Sequence, residues 1–210
     1  VVILDTASKL LVLTDEIFSD AISGVGKSLY NEAIAWVRHG HMVTVIVRGI
    51  NAALPPFEVI DGIHIYRVQG IISPSPFYCF FPLVIFGKVI TRLRNLDQSF
   101  DVVVAHNPIF LLAAQVAGIM HARLSVYIFH SSTAQEIMLN LRRGKYGLLM
   151  PLLWVAAQGL RRVDVIIARS RFMENNLQTL MQGLPFQSEI IPIGLNTAHY
   201  QPVDAADART

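Results

Sequence analysis

The chain has 210 residues and a formal net charge of +2, and no run of lysine and arginine exceeds two residues, so a nucleic-acid-binding face is not indicated. Apolar residues make up 53% and charged residues only 15%, which predicts a sheet covered on both faces or a surface that expects a partner. One cysteine, Cys79, excludes an internal disulfide and suits a reducing compartment.

Residues 1–8 read as an N-terminal extension. They carry Asp5 and lack the basic start and long apolar run of a signal peptide, so a cytoplasmic protein is expected. Leu10-Leu11-Val12-Leu13 reads as a buried strand. A polar loop then closes on Ser23-Gly24-Val25-Gly26, and a helical pattern runs to the stop at Gly40, with Tyr30, Ala33, Ile34 and Val37 on one face. Short β-branched or aromatic runs follow at 43–47, 63–68, 102–105, 126–129, 165–168 and 190–193. Most are apolar throughout, as parallel strands covered on both faces should be. Asp61-Gly62 marks a tight hairpin turn at a sheet edge. Residues 70–87 are uncharged but contain Pro74, Pro76 and Pro82, which rules out a spanning helix. Asn107-Pro108 is a cap followed by proline at the first helical position, Thr133-Ala134-Gln135-Glu136 has capping-box spacing, and Ser170 can cap a helix running towards Met181. There is no internal repeat. The alternation predicts one α/β domain, a Rossmann-like, doubly wound parallel sheet.

In such sheets ligands bind beyond the carboxyl ends of the strands, where strand order reverses. Three features fall at such ends: the Gly24/Gly26 turn after the first strand, His106 after Val102-Val103-Val104-Ala105, and His130 after Val126-Tyr127-Ile128-Phe129. A glycine turn lets the backbone approach a phosphate, and the helix behind it presents unpaired N–H groups and a positive dipole end. Taken alone, the glycines also describe a plain strand-to-helix turn, and each histidine a packed, hydrogen-bonded imidazole. The matching positions of His106 and His130 on two strand ends favour a functional role. His39, His41, His64, His121 and His199 have no such placement and read as surface or turn residues.

Two nucleotide sites can be tested on the same glycines. Ala21 to Ser28 fits a relaxed Walker A pattern, but seven residues (Thr14 to Asp20) with three acids separate it from the strand, and no strand ends in an aspartate for magnesium. A dinucleotide site lacks its third glycine, where Leu29 stands, and the second strand ends in Arg48 rather than an acid; Arg48 would at most suit a 2′-phosphate.

Seven stretches in order resemble the amino-terminal half of GT-B glycosyltransferases of family 4, from about Lys9 to Pro202. They are Ser23-Gly24-Val25-Gly26-Lys27; Gly40-His41-Met42-Val43-Thr44-Val45; Glu58-Val59-Ile60-Asp61-Gly62-Ile63; and Phe100-Asp101 through His106-Asn107-Pro108. The others are Val126-Tyr127-Ile128-Phe129-His130-Ser131, Arg162-Val163-Asp164 through Arg171-Phe172, and Ile191-Pro192-Ile193-Gly194 through Tyr200-Gln201-Pro202. Departures are Ile193 and Asn196 where the last motif usually has asparagine and aspartate, and Ser131 where glycine usually follows the histidine.

The resemblance implies a retaining transferase that moves a sugar from a nucleotide-sugar donor to an unknown acceptor, a glycan or lipid-linked molecule. It implies a Rossmann-like N-terminal domain over 9–202 and a linker at 203–210 to a missing C-terminal domain that grips the donor. His130 is expected to hydrogen-bond near the transferred sugar as the catalytic candidate. Gly24 and Gly26 would approach the donor phosphates, where their amides stabilise the leaving diphosphate. Lys27 and Arg169 would add positive charge, and His106 would serve the acceptor side. No metal or other cofactor is expected, since no metal-ligand spacing appears, and no paired carboxylates suggest a double-displacement mechanism. The isolated chain is expected to be inactive. The alternatives are a stand-alone binding module or pseudoenzyme that lacks the donor domain, and a split enzyme whose other half is a separate polypeptide. Arg142-Arg143-Gly144-Lys145 and Arg161-Arg162 flank an uncharged stretch containing Trp154, which suits either a core helix or peripheral contact with an anionic membrane.

Overall fold

The computed structural model describes residues 7–18, 20, 23–49, 51–70, 81–96, 98–119, 122–130, 158–181 and 185–194. The capping box at 133–136, the basic-flanked stretch at 142–157, Ser131, Asn196, Cys79, His121, His199, most of the loop at 70–81 and the linker at 203–210 lie outside the described residues.

The elements alternate as the sequence pattern predicts. They are β1 (Lys9–Thr14), α1 (Gly24–Arg38), β2 (Met42–Gly49), β3 (Phe57–Ile60), β4 (Ile63–Gln69), α2 (Phe81–Arg94), β5 (Val102–Ala105), α3 (Pro108–Ala117), β6 (Leu124–Phe129), β7 (Val165–Ala168), α4 (Arg171–Met181) and β8 (Ser188–Ile190), with a 3-10 turn at Leu160–Arg162. The strands form one sheet in the order β3-β4-β2-β1-β5-β6-β7-β8. Every neighbouring pair is parallel except β3 with β4 at the edge, whose Asp61-Gly62 turn has both residues at positive φ, 48° and 80°.

Strand order reverses at β1. The chain leaves it for β2 on one side and returns to β5 on the other, so the switch point lies between β1 and β5. Right-handed crossovers in opposite directions must put their helices on opposite faces. Accordingly Leu29 and Ala33 of α1 pack on the face lined by Leu10, Val12, Val45 and Val104, whereas α2, α3 and α4 cover the face lined by Leu11, Leu13, Ile46 and Val103. Consecutive strand residues thus feed two cores, which is why these strands read as unbroken apolar runs. Burying a side chain such as Leu29, 1% exposed, contributes about 1.5–3 kcal/mol. The Tyr30 hydroxyl donates to the Asp61 carboxylate and ties α1 to the hairpin turn.

Two expectations shift. The last strand is Ser188–Ile190 and not 190–193. β7 ends at Ala168, which pairs with Ile190; beyond it only the Ile191 N–H reaches the Ala168 carbonyl, and Pro192 has no N–H to continue the ladder. Ser23, not the glycines, closes the loop after β1. It is the N-cap, with extended backbone and its Oγ accepting from Gly26 N–H at 2.9 Å, so Gly24 and Gly26 lie inside the first helical turn.

Candidate functional site

Strands β5, β6 and β7 are adjacent and parallel, so the residues that follow them emerge side by side at one end of the sheet. These are His106, His130 and Arg169. His106 is held by its backbone, whose N–H donates to the Leu13 carbonyl of β1 at 2.8 Å. Next to it Asn107 caps α3: its Oδ1 accepts from Ile109 N–H at 2.7 Å and Phe110 N–H at 3.3 Å, with Pro108 opening the helix. The other end of the Asn107 amide donates to Asp15, so the start of the β1–α1 loop is fastened to the end of β5.

The two imidazoles meet directly. His106 Nδ1 lies 2.7 Å from His130 Nε2, with rings near-parallel (15°) and centroids 4.9 Å apart. A centroid separation so much longer than the N···N contact means the rings join edge to edge, in a hydrogen bond that needs one donor and one acceptor. Neither ring carries charge near neutral pH. Burial, reinforced by the neighbouring His130 and Arg169, holds His106 well below its usual value, and burial together with Arg169 lowers His130 to about 4. Among the described residues His106 Nε2, which is buried, has no hydrogen-bond partner.

Arg169 is in turn bound to α1. Its Nη2 pairs with the Glu32 carboxylate, which also accepts from Ser28 Oγ at 3.2 Å one turn earlier on the same helix. Its buried Nε has no partner among the described residues. Through Ser28 and Glu32 the first turns of α1 are thus joined to the cation that both imidazoles feel.

The start of α1 is shaped by close packing on one side and open space on the other. A Cβ at Gly26 would stand 3.0 Å from Ser23 Oγ, 3.2 Å from the Ile17 carbonyl carbon and 3.3 Å from Phe18 N; one at Gly24 would meet nothing within 4 Å. Gly26 is buried, whereas Gly24, Val25 and Lys27 are exposed. Glycine at 26 serves loop–helix contact, and glycine at 24 leaves the approach to the helix start clear.

The loop itself is anchored from β4. Arg67, on the register that also turns Ile63 and Ile65 inward, is 2% exposed. Its Nε and Nη2 donate to the two Asp20 oxygens at 2.6 Å each, Nη1 donates to the Pro55 carbonyl at 2.9 Å, and Nη2 also pairs with Glu58. This fork is the pattern that favours arginine over lysine at buried carboxylates.

Of the residues singled out in the sequence, the structure brings His106, His130 and Arg169 into one electrostatically coupled group, and links Gly24, Gly26 and Lys27 to it through their own helix. Glu32, Asp20 and Arg67 were not singled out. The signal for Arg67 was an arginine on the apolar alternation of Ile63 and Ile65; for Glu32 it was its position four residues after Ser28. Among the described residues no group of three or more His, Cys, Asp or Glu could hold a metal ion, and no helix is long and apolar enough to cross a membrane.

A sheet reversing between β1 and β5, with its polar groups gathered at the carboxyl ends beside that reversal, is the architecture of one Rossmann-like half of a GT-B enzyme. The sequence model of Glycosyltransferase Family 4 matches residues 22–199, and the chain belongs to that family. Solved structures agree on the fold. Sucrose-phosphate synthase from Thermosynechococcus elongatus superposes with a TM-score of 0.71 at 15% identity, covering 96% of this chain and 52% of that one. HepE from Anabaena in complex with UDP-glucose gives 0.60 at 18%, over 96% and 48%; the catalytic domain of starch synthase IV from Arabidopsis thaliana, bound to ADP and acarbose, gives 0.62 at 12%, over 95% and 54%. The chain therefore spans about half the length of these enzymes. No curated protein matches it significantly in sequence.

Proposed function

We propose that this chain is the acceptor-side, N-terminal domain of a retaining glycosyltransferase that takes a sugar from a nucleotide-sugar donor and passes it to a glycan or lipid-linked acceptor. The observation that carries the reading is the His106–His130–Arg169 group at the carboxyl ends of three adjacent strands, beside the switch point, in a member of this family. His130, neutral near pH 7, acts as a hydrogen-bonding group on the transferred sugar and not as a cation. The exposed start of α1 at Gly24 and Val25 faces the donor phosphates. Its dipole end contributes about 0.3–1 kcal/mol per exposed anionic charge and up to about 2 when partly buried, and it opposes the charge that builds on the leaving diphosphate. Lys27 adds a solvated charge, and Arg169, held by Glu32, adds a fixed one. The donor is gripped by a second Rossmann-like domain outside these 210 residues, and the protein works in the cytoplasm, with peripheral membrane contact where the acceptor is lipid-linked. UDP- and ADP-bound neighbours make those nucleotides the first donors to try.

The test is release of nucleoside diphosphate from UDP-glucose and ADP-glucose by the full-length protein, with and without glycan and polyprenyl-linked acceptors. His130→Ala should lower turnover at least tenfold while stability falls by no more than one orphaned buried hydrogen-bonding group costs, about 1–3 kcal/mol. Wild-type turnover in that variant refutes the assignment. The 210 residues alone should show no transfer.

A further inference from the structure

Neither nitrogen of His106 is open to a substrate: Nδ1 sits on His130, and Nε2 is buried with no partner among the described residues. A histidine so placed can act only through the ring it touches.

The contact admits two proton arrangements. If His130 Nε2–H donates to His106 Nδ1, neutral His106 carries its proton on Nε2, which leaves an N–H buried without an acceptor. Such orphaned donors are rare and costly. Arg169, whose charge also acts on His106, disfavours further positive character on this ring. If His106 Nδ1–H donates to His130 Nε2, the buried Nε2 is a bare lone pair, and no N–H is left without an acceptor. His130 then carries its own proton on Nδ1. The partner of one ring nitrogen decides the protonation of the other.

We infer that His106 is a positioning residue: it donates Nδ1–H to Nε2 of His130, locks the His130 ring, and fixes it as the tautomer that presents Nδ1–H as a hydrogen-bond donor. The functional consequence rests on the glycosyltransferase reading; the tautomer does not. A donor at that position suits a sugar oxygen with a lone pair to offer, so the group recognised is an acceptor oxygen of the transferred sugar. This moves His106 from the acceptor side, where the sequence placed it, to a place behind His130.

The experiment is nitrogen NMR of the full-length protein carrying 15N-histidine at pH 7, with His130 assigned by the loss of its signals in His130→Ala. In the wild type, His130 should show a protonated Nδ1 and a bare Nε2, and His106 a protonated Nδ1 and a bare Nε2. In His106→Phe the His130 signals should move towards the average of two exchanging tautomers. His106→Asn, whose amide N–H can replace the lost donor, should restore the wild-type pattern. In turnover, His106→Phe should lower kcat roughly tenfold or more with little change in KM, as when an orienting partner is removed from a metal-bound histidine, and His106→Asn should recover most of it. A protonated His130 Nε2 in the wild type, or His130 signals unmoved in His106→Phe, overturns the inference. Should the phenylalanine variant not fold, the wild-type spectrum and the asparagine variant decide the matter. The spectra involve no substrate, so they stand if the protein proves not to be a transferase; equally, a refuted tautomer leaves the His130→Ala turnover result intact.

Discussion

Gly24 and Gly26 are two residues apart in one helical turn, yet alanine at the two sites should have different effects. At 26 a methyl would stand 3.0 Å from Ser23 Oγ, 3.2 Å from the Ile17 carbonyl carbon and 3.3 Å from Phe18 N. Two of those neighbours are backbone, in a loop that the Asp20–Arg67 fork holds, so they give way poorly. Overpacking of this kind costs about 1–3 kcal/mol, and displacing Ser23 weakens a cap worth about 1 kcal/mol. Against this stands about 0.4–1 kcal/mol from restricting the unfolded chain. The net expectation is a loss of about 1–3 kcal/mol for Gly26→Ala. At 24 the space is open and the position helical, so only the favourable term remains, and Gly24→Ala should be neutral or gain up to about 1 kcal/mol. Urea unfolding measures both: the Gly26→Ala midpoint should fall and the Gly24→Ala midpoint should hold or rise, with the slope unchanged. Gly26→Ala at least as stable as wild type, or Gly24→Ala weaker by more than about 1 kcal/mol, refutes the packing argument. Gly24→Val separates packing from function: it should fold normally but depress transfer, because its branches occupy the approach to the helix start. Undiminished transfer there would discard the phosphate role and leave the packing intact.

Two further expectations concern the buried charges and imidazoles. Between pH 6.5 and about 4 the unfolded chain protonates His130 while the folded one does not, so stability should be level above pH 6.5, fall through that window, and level off below it for this group. The drop from 6.5 to about 4 corresponds to at most about 3 kcal/mol, less the share that solvent screens, and urea midpoints of His130→Asn against wild type should show the shallower acid slope in the variant; equal slopes would exclude it. Arg67→Met should cost about 3–5 kcal/mol, because Asp20 and Glu58 are left without their cation, and adding Asp20→Leu should return part of it; a variant within about 1 kcal/mol of wild type would show that the fork does not hold the loop.

The fold was legible because its strands are nearly pure. Val102-Val103-Val104-Ala105 and Val165-Ile166-Ile167-Ala168 have no polar residue to blur their ends, and both were located to the residue. The caps at Asn107 and Ser170 were legible because an N-cap is a local device, written within three residues; Ser170 Oγ indeed accepts from Met173 N–H at 3.3 Å. What escaped was long-range pairing. Nothing near Arg67 announces Asp20, 47 residues earlier, and nothing near Arg169 announces Glu32, 137 residues earlier. The histidines were found as two separate strand ends. Their direct contact needed the register of β5 on β6, which no single strand encodes.

That same long-range pairing changes how the loop after β1 should be weighed. Asp15, Glu16 and Asp20 look, in sequence, like a barrier to any anion at the start of α1. In the folded chain Asp20 is spent on Arg67, Asp15 accepts from Asn107, and Glu16 lies 4.0 Å from Arg48. Asp20 is offset by a cation and Glu16 has one nearby, while Asp15, held by a neutral amide, keeps its charge, so the acids count for less against a phosphate at Gly24 than they do in sequence. The cations are balanced in the same way: Arg169 is matched by Glu32, and the imidazoles are neutral. On the proposed reading this end of the sheet therefore meets the donor mainly with oriented dipoles, the helix amides and a fixed imidazole N–H. Dipoles held in place by packing need not reorganise as charge moves to the leaving group, and that is the property a transfer site requires of them.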